Sequence, residues 1–456
     1  MLSKQTLTKA FAVLFEQCLR VRPDDQILLI YDDLFRPFLD SVIDFLTENK
    51  LHATFVEIPK AYQRALVSWG TQSQYSSGVP LGLAAAIGEA SIILNCLDGD
   101  SQTARLRRAI VQQQRPHECR LAHIPGLSED ILEVMTRSPI YEILESAESV
   151  AWGLGEARTA ELCSRDLAGT EHSLRLDLGG WDNEPLMSPG VIYPNSWGNI
   201  PPGEVFCCPD HASVNGEVCI NGSVPGKCLG EGEEAVLRFS AGLLESWYPR
   251  SSPAALFLEA EKSRADLRGD ENWNAFAELG IGLNSAVANL TGNPLLDEKA
   301  LGTVHVAIGD NTTFGRHLKA DTHLDMVVKA PTLLLDAIVL IDRGELLLDR
   351  LADWRHTAKP EPLRLVPGHR LFLNAAKVDK EQGFALRRLS SAGRVGYVNI
   401  SGPTDAALLM KVLSHLSEDR PISLADLRSE IDDKDLDTAL ALLHHYRVLE
   451  IEKNHA

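Results

Sequence analysis

Residues 26–59, QILLIYDDLFRPFLDSVIDFLTENKLHATFVEIP, set the fold of the first part of the chain. QILLIYDD is a short apolar run that ends in acids. FRPFLDSVIDFLTENK follows with Phe38, Val42, Phe45 and Leu46 at helical spacing, and LHATFVEIP is β-branched and alternating. Strand, helix and strand in that order predict a βαβ unit. The rhythm repeats in EASIILNCL, RLRRAIVQQQ and CRLAHIPG. An open α/β sheet with parallel strands and helices on its faces is therefore expected over residues 1–180. This stretch has no G-x-G-x-x-G and no P-loop, so a nucleotide is not indicated.

The totals narrow the function. The chain has 456 residues, enough for two or three domains, with 45% hydrophobic and 23% charged residues. Its net charge of −19 disfavours phosphate-driven nucleic-acid binding but would attract cations or a basic substrate. No run approaches the roughly 20 apolar residues of a membrane span, so no membrane partner is expected. The N-terminus reads as an amphipathic helix with Leu7, Phe11, Leu14 and Cys18 on one face, not as a signal peptide. Eight cysteines match no zinc-ribbon spacing, and several sit in apolar runs. Free thiols in a reducing cytoplasm are expected.

Beyond residue 172 the texture changes to short runs such as LRLDLGG, GEVFCCP, GEVCING and VHVAIG, punctuated by Gly, Pro and Asn. This predicts a β-rich domain over 181–355 with a helical insert near 253–275. Residues 356–456 form a third unit. HRLFLNAA, FALRRLSS and RVGYVNIS read as strands, followed by helices near 404–416, 423–431 and 434–447 and a final strand VLEIEK. Ser423 followed by Asp426 is a helix-start signal. The outline is that of a winged helix. Residues 403–456 hold 11 acids against 6 Lys/Arg, which points to packing or peptide binding and away from DNA.

The candidate chemistry lies in GTVHVAIGDNTTFGRHLKADTHLD, residues 302–325. Strand alternation places Thr303, His305 and Ala307 on one side and Val304, Val306 and Ile308 on the other. His323 and Asp325 share a face and lie about 7 Å apart at Cβ. Two imidazoles and a carboxylate suit zinc, manganese, cobalt or ferrous iron. The plainer alternative is a hairpin whose polar face meets water. Upstream, Glu204 in NIPPGEVFCCP and Glu278 in FAELGIGLN are carboxylates that packing does not require. Asp297 and Glu298 read as a strand-entry turn, and His211 and His317 as solvated. Gly280, Gly282, Gly302 and Gly309 allow close backbone approach or positive φ.

In this order, NIPPGEVFCCP, ELGIGLN, DEKALGTVHVAIGDN and HLD resemble the thermophilic aminopeptidase (aminopeptidase T) family of metallopeptidases. The resemblance spans about residues 5–345 and includes VRPDDQILLIYDD and CRLAHIPGLSEDIL. It implies an N-terminal α/β domain, a β-rich metal-binding domain, a homodimer, and two divalent metals at Glu204, Glu278, His305, His323 and Asp325. Three features depart from the family pattern. Thr312 stands where those peptidases place a tyrosine, Phe314-Gly315-Arg316 replaces FGG, and Asp336-Ala337 replaces an Asp-Gly turn. The unit beyond ~355 lies outside the family pattern and resembles, in outline, the winged-helix peptide-recognition domains of ribosomal peptide natural-product pathways.

The resemblance implies a metal-dependent hydrolase acting on a peptide or small peptide-derived substrate. Glu278 would be shared between metals, and Glu204 would be a ligand or the base. Arg316 and Lys299 would hold a substrate carboxylate, and the C-terminal unit would capture the peptide. Two alternatives use the same residues. A dihydroxypyridine-cleaving dioxygenase looks similar in its two-histidine, one-carboxylate Fe(II) site, here His305, His323 and Asp325. Otherwise, the metal domain is a degenerate scaffold and the chain binds a peptide for a partner.

Overall fold

The structure, a computed structural model, describes residues 2–70, 79–99, 103–113, 119–178, 185–192, 196–314 and 316–351. Beyond these it describes the short stretches 363–365, 370–373, 384–389, 395–400, 411–412 and 449–451, and residues 427, 431 and 436. The chain divides into two compact units. One comprises residues 1–192 and 197–354, and the other 355–456 with 193–196.

The βαβ reading is correct in direction and order. Gln26–Tyr31 pairs in parallel with His52–Glu57 on one side and Ile92–Cys96 on the other, and Ile92–Cys96 pairs in parallel with Arg120–His123. Ile27 to Tyr31 are buried without alternation, as expected of a strand covered on both faces. The connecting helix Leu39–Glu48 buries Val42, Phe45 and Leu46. The N-terminal helix Lys4–Ala12 is capped by Ser3, whose hydroxyl accepts from Thr6 N–H, and it continues as a π-helical turn, Val13–Cys18. It buries Leu7, Phe11, Leu14 and Cys18, the face predicted from spacing.

The β-rich part holds two sheets among the described residues. In the eight-stranded sheet, Thr159–Arg165 and Glu171–Asp177 form an antiparallel pair, and Thr332–Leu335 joins the outer side of the first. The seven-stranded sheet orders Lys227–Cys228, Ser223–Val224, His323–Val328, Val304–Gly309, Phe276–Gly282, Glu204–Cys207 and Leu186–Ser188. Leu162, Leu174 and Leu176 from the first sheet meet Leu279, Val304, Val306 and Ile308 from the second in one apolar core. The predicted insert is the helix Pro253–Arg268, begun by Ser252 as N-cap and ended by Gly269 at φ 68°.

In the second unit, Arg370–Leu373, Phe384–Leu389 and Val395–Ile400 form an antiparallel sheet, and Leu363–Leu365 pairs with Leu449–Ile451. Four of these are the strands read from the sequence, and Leu363–Leu365 is an addition to that reading. The three expected helices, and with them the winged-helix outline, lie largely outside the described residues. All eight cysteines are free thiols, six of them buried. No described helix is long and apolar enough to cross a membrane.

Asp25 and Arg120 tie the N-terminal loop to the parallel sheet. Both guanidinium-to-carboxylate contacts are 2.7–2.8 Å and both side chains are nearly buried. Asp25→Ala would leave the buried guanidinium without its counter-charge. Urea unfolding is expected to show a loss of about 3–5 kcal/mol.

Candidate metal centre

Four neighbouring strands bring the chemistry together through their hydrogen-bond register. Glu204 lies opposite Gly282, His305 opposite Gly280, Asp325 and Glu278 opposite Ala307, and His323 opposite Gly309. Side chains opposite one another point to the same face of a sheet. All five candidates therefore stand on one face, while Val304, Val306 and Ile308 pack into the core on the other. A register irregularity between Phe276 and Glu278 sets the first carboxylate in place. Gly280 leaves room for the His305 ring, because a Cβ there would overlap the imidazole.

The face is buried, so the wet-hairpin alternative does not hold for its centre. His305 is fully buried, Glu204 and Glu278 are each 3% exposed, and the His323 side chain is 24% exposed. His305 Nε2 lies 3.1 Å from Glu278 Oε1 and 3.8 Å from Glu204 Oε2. His323 Nε2 lies 3.2 Å from both Glu278 Oε2 and Asp325 Oδ1. Those two oxygens and His305 Nδ1 are buried without a well-formed hydrogen bond.

Lys299 was expected to hold substrate from a polar loop. It is instead fully buried, with its ammonium 2.5 Å from Glu204 Oε1 and also bonded to Glu298. Glu298, read as a turn residue, is a buried member of the cluster. Its neighbour Asp297 faces elsewhere and accepts from the backbone N–H groups of Thr291 and Gly292. Arg316 is half-buried and close enough for its charge to act on the Cys208 thiol. His317 is exposed and His211 half-buried.

The hydroxyl of Thr312 turns to the Asp310 carboxylate at 2.9 and 3.1 Å, so it supplies neither a ligand nor a proton to the cluster. Asp310 escaped the sequence reading altogether. Its signal was the GDN that follows the His305 strand. Asp336 takes φ 50° and accepts from Arg158 N–H and Thr159 N–H, a turn-holding role.

Four carboxylates, Glu204, Glu278, Glu298 and Asp325, thus face one lysine in a buried space. Burial disfavours the charged forms, but the clustered charges override it at several groups. Burial opposes the His305 imidazolium, yet Glu278, Asp325 and Glu204 raise its pKa to about 9. Burial likewise opposes charge on His323, and Asp325 and Glu278 raise it well above the ordinary histidine value. Asp325 falls to about 2 against its burial because of His323, His305 and Lys299. At Glu298 burial wins, with help from Glu204, and its pKa rises to about 8.

A divalent cation fits this arrangement. Glu278, His305 and Asp325 offer ligand atoms within 4.8 Å of one another, and so do Glu204, Glu298 and His305. The Lys299 ammonium already lies against both carboxylates of the second group. The first group also contains the two orphaned carboxylate oxygens, with His323 Nε2 beside them. A mixed imidazole and carboxylate set suits zinc, cobalt, manganese or ferrous iron.

No protein-family model matches the chain, and no curated protein is matched. Solved structures do share its fold. 2,5-Dihydroxypyridine dioxygenase from Pseudomonas putida KT2440 is 16% identical with a TM-score of 0.54, over 76% of this chain and 98% of its own. Wild-type AmpT from Thermus thermophilus is 15% identical with a TM-score of 0.51, over 75% of this chain and 99% of its own. At this identity the likeness establishes a common fold.

Metal binding must displace the protons that the raised histidine pKa values retain. Below pH about 9 His305 holds its second proton in the metal-free protein, so affinity should rise with pH up to that value. Each displaced proton should contribute about tenfold per pH unit. Competition titrations between pH 6 and pH 8 should show this rise, and a flat profile would mean that metal displaces no proton from His305 or His323 in that range. Gly280→Ala should push the His305 ring out of place and abolish tight metal binding, read by elemental analysis of the folded variant.

Proposed function

We propose that the chain is a metal-dependent hydrolase of amide or peptide bonds, with a divalent ion held by Glu278, His305, His323 and Asp325. The observation that carries this reading is their convergence on one sheet face, with ligand atoms of Glu278, His305 and Asp325 within 4.8 Å of one another and His323 Nε2 beside them. The likeness to AmpT, whose fold the chain shares, supports it. When bound, such an ion supplies Lewis acidity, polarising a carbonyl and making a water acidic near neutral pH.

The chain's own residues divide the remaining work. Lys299 holds one oxygen of Glu204, and the other oxygen is left facing His305. Glu204 is then placed to accept a proton from an attacking water and return it to the leaving amine. Glu278 sets one oxygen beside each imidazole, Oε1 by His305 Nε2 and Oε2 by His323 Nε2. Phe206 and Phe314, with ring centroids 4.8 Å apart, and half-buried Arg316 supply an apolar wall and a cation for a peptide-derived substrate. The second unit would bind peptide, and a homodimer in the cytoplasm belongs to the same reading.

An oxygenase is the second reading, favoured by the fold shared with the dihydroxypyridine dioxygenase. It would use Fe(II) at His305, His323 and Asp325, and it leaves Glu204 and Glu278 without a chemical task.

Elemental analysis paired with an aminoacyl-amide and dipeptide panel tests the assignment. Zinc, cobalt or manganese is expected in the native protein and should be lost in His305→Ala and Glu278→Ala. Glu204→Gln should keep the metal and lower kcat by about 10²–10⁴. One iron per chain with oxygen uptake would replace the hydrolase by the oxygenase. No tight metal would leave a binding protein.

A further inference from the structure

We propose that Arg108, from the N-terminal α/β domain, is a positioning residue for His323, acting through a clasp built on Asp310 and Thr312. The proposal rests on reading His323 as a metal ligand, and it adds what orients that ligand.

The two histidines are held in different ways. His305 is fully buried, packed against Gly280, and its Nδ1 has no hydrogen-bond partner. Packing and the contact of its Nε2 with Glu278 Oε1 at 3.1 Å hold that ring. His323 opens its strand, is a quarter exposed, and is less enclosed, with the Phe314 ring against it at 5.5 Å. Its Nδ1–H donates instead to the Asp310 backbone carbonyl at 2.6 Å. That bond places the proton on Nδ1 and turns Nε2 toward Glu278 and Asp325. The orientation of His323 therefore depends on the position of Asp310, together with the contacts of Nε2 to Glu278 and Asp325.

Asp310 is itself built into place. It follows Gly309, whose φ of 104° and close approach to the Thr322 carbonyl exclude a side chain. The Asp310 carboxylate is 5% exposed and accepts from Thr312 N–H at 3.2 Å, the Thr312 hydroxyl at 2.9 Å and Ala320 N–H at 3.3 Å. These bonds close the segment between the two histidine strands. All of them come from neutral donors. The formal charge on Asp310 is met by Arg108 Nη1 at 3.3 Å, from the helix Ala104–Gln112, 202 residues away in sequence. A buried carboxylate without a counter-charge is costly, so removing Arg108 should loosen the whole clasp. Thr312, which departs from the peptidase pattern, then has a defined task as part of this clasp.

The geometry thus couples the N-terminal domain to the metal centre by one ion pair and one carbonyl. The test uses the full chain with Arg108→Ala, Arg108→Lys and Thr312→Val. Zinc affinity is measured by competition with a chromophoric chelator, and the downfield His323 Nδ1–H proton is followed by NMR with and without zinc. Arg108→Ala should weaken zinc binding about tenfold or more and broaden or erase the Nδ1–H signal. Arg108→Lys should restore both in part, and Thr312→Val should fall between wild type and Arg108→Ala. The melting temperature of the zinc-free protein separates this from general destabilisation, and Thr312→Val serves if Arg108→Ala does not fold. Wild-type affinity with a retained Nδ1–H signal in Arg108→Ala and Thr312→Val would overturn the proposal. So would an affinity loss with that signal unchanged. Failure of the wild-type protein to bind zinc would instead refute the ligand reading, and the zinc-free Nδ1–H signal would still decide the clasp.

Discussion

Buried like charge is the constraint on which this molecule turns. Glu204, Glu278, Glu298 and Asp325 are held on or beside one face of a single sheet, buried or largely buried, where water screens them poorly. Carboxylates in such a place either take up protons or recruit cations. Lys299 meets part of that demand, and the raised pKa values of His305 and His323 meet more of it in the metal-free protein. A divalent ion would release those protons and replace them as the counter-charge. The affinity for metal and the stability of the cluster therefore have the same electrostatic origin.

The sheet can carry this load because, in the strands that bear the site, its opposite face is apolar. Val304, Val306 and Ile308 pack into the core shared with the eight-stranded sheet, which prevents the charged face from turning outward. Strand alternation makes the division absolute: a slip of one residue would bury the charges in hydrocarbon and expose the valines. Two glycines complete the frame. Gly280 makes space for a ring, and Gly309 allows the chain to turn so that Asp310 can reach His323. Neither position tolerates a Cβ, so each glycine has a steric reason of its own.

Much of this was legible in the order of residues. The period-2 pattern of VHVAIG and the β-α-β rhythm of residues 26–59 are local signals, and both appear in the structure as read. Strand alternation brought His305, His323 and Asp325 together, while Glu204 and Glu278 joined them through the resemblance to the aminopeptidase T family. Lys299 and Glu298 were misjudged for a definite reason. They stand in a polar, turn-like stretch, and such stretches are ordinarily solvated, but this one is covered by the neighbouring strands. Asp310 was missed because its main contribution is a backbone carbonyl, and a carbonyl carries no residue-type signal.

The sequence by itself determined the strand and helix types of the described first unit and the facing of the site strands, because these follow from short-range periodicity; the five candidate ligands came from that facing together with the family resemblance. Tertiary structure decided which of them meet, how deeply they are buried, and what holds them. The Lys299 contact to Glu204 spans 95 residues and the Arg108 contact to Asp310 spans 202. No local pattern encodes pairings at that range. They arise when sheet register and domain packing bring charges into a space where they must find partners.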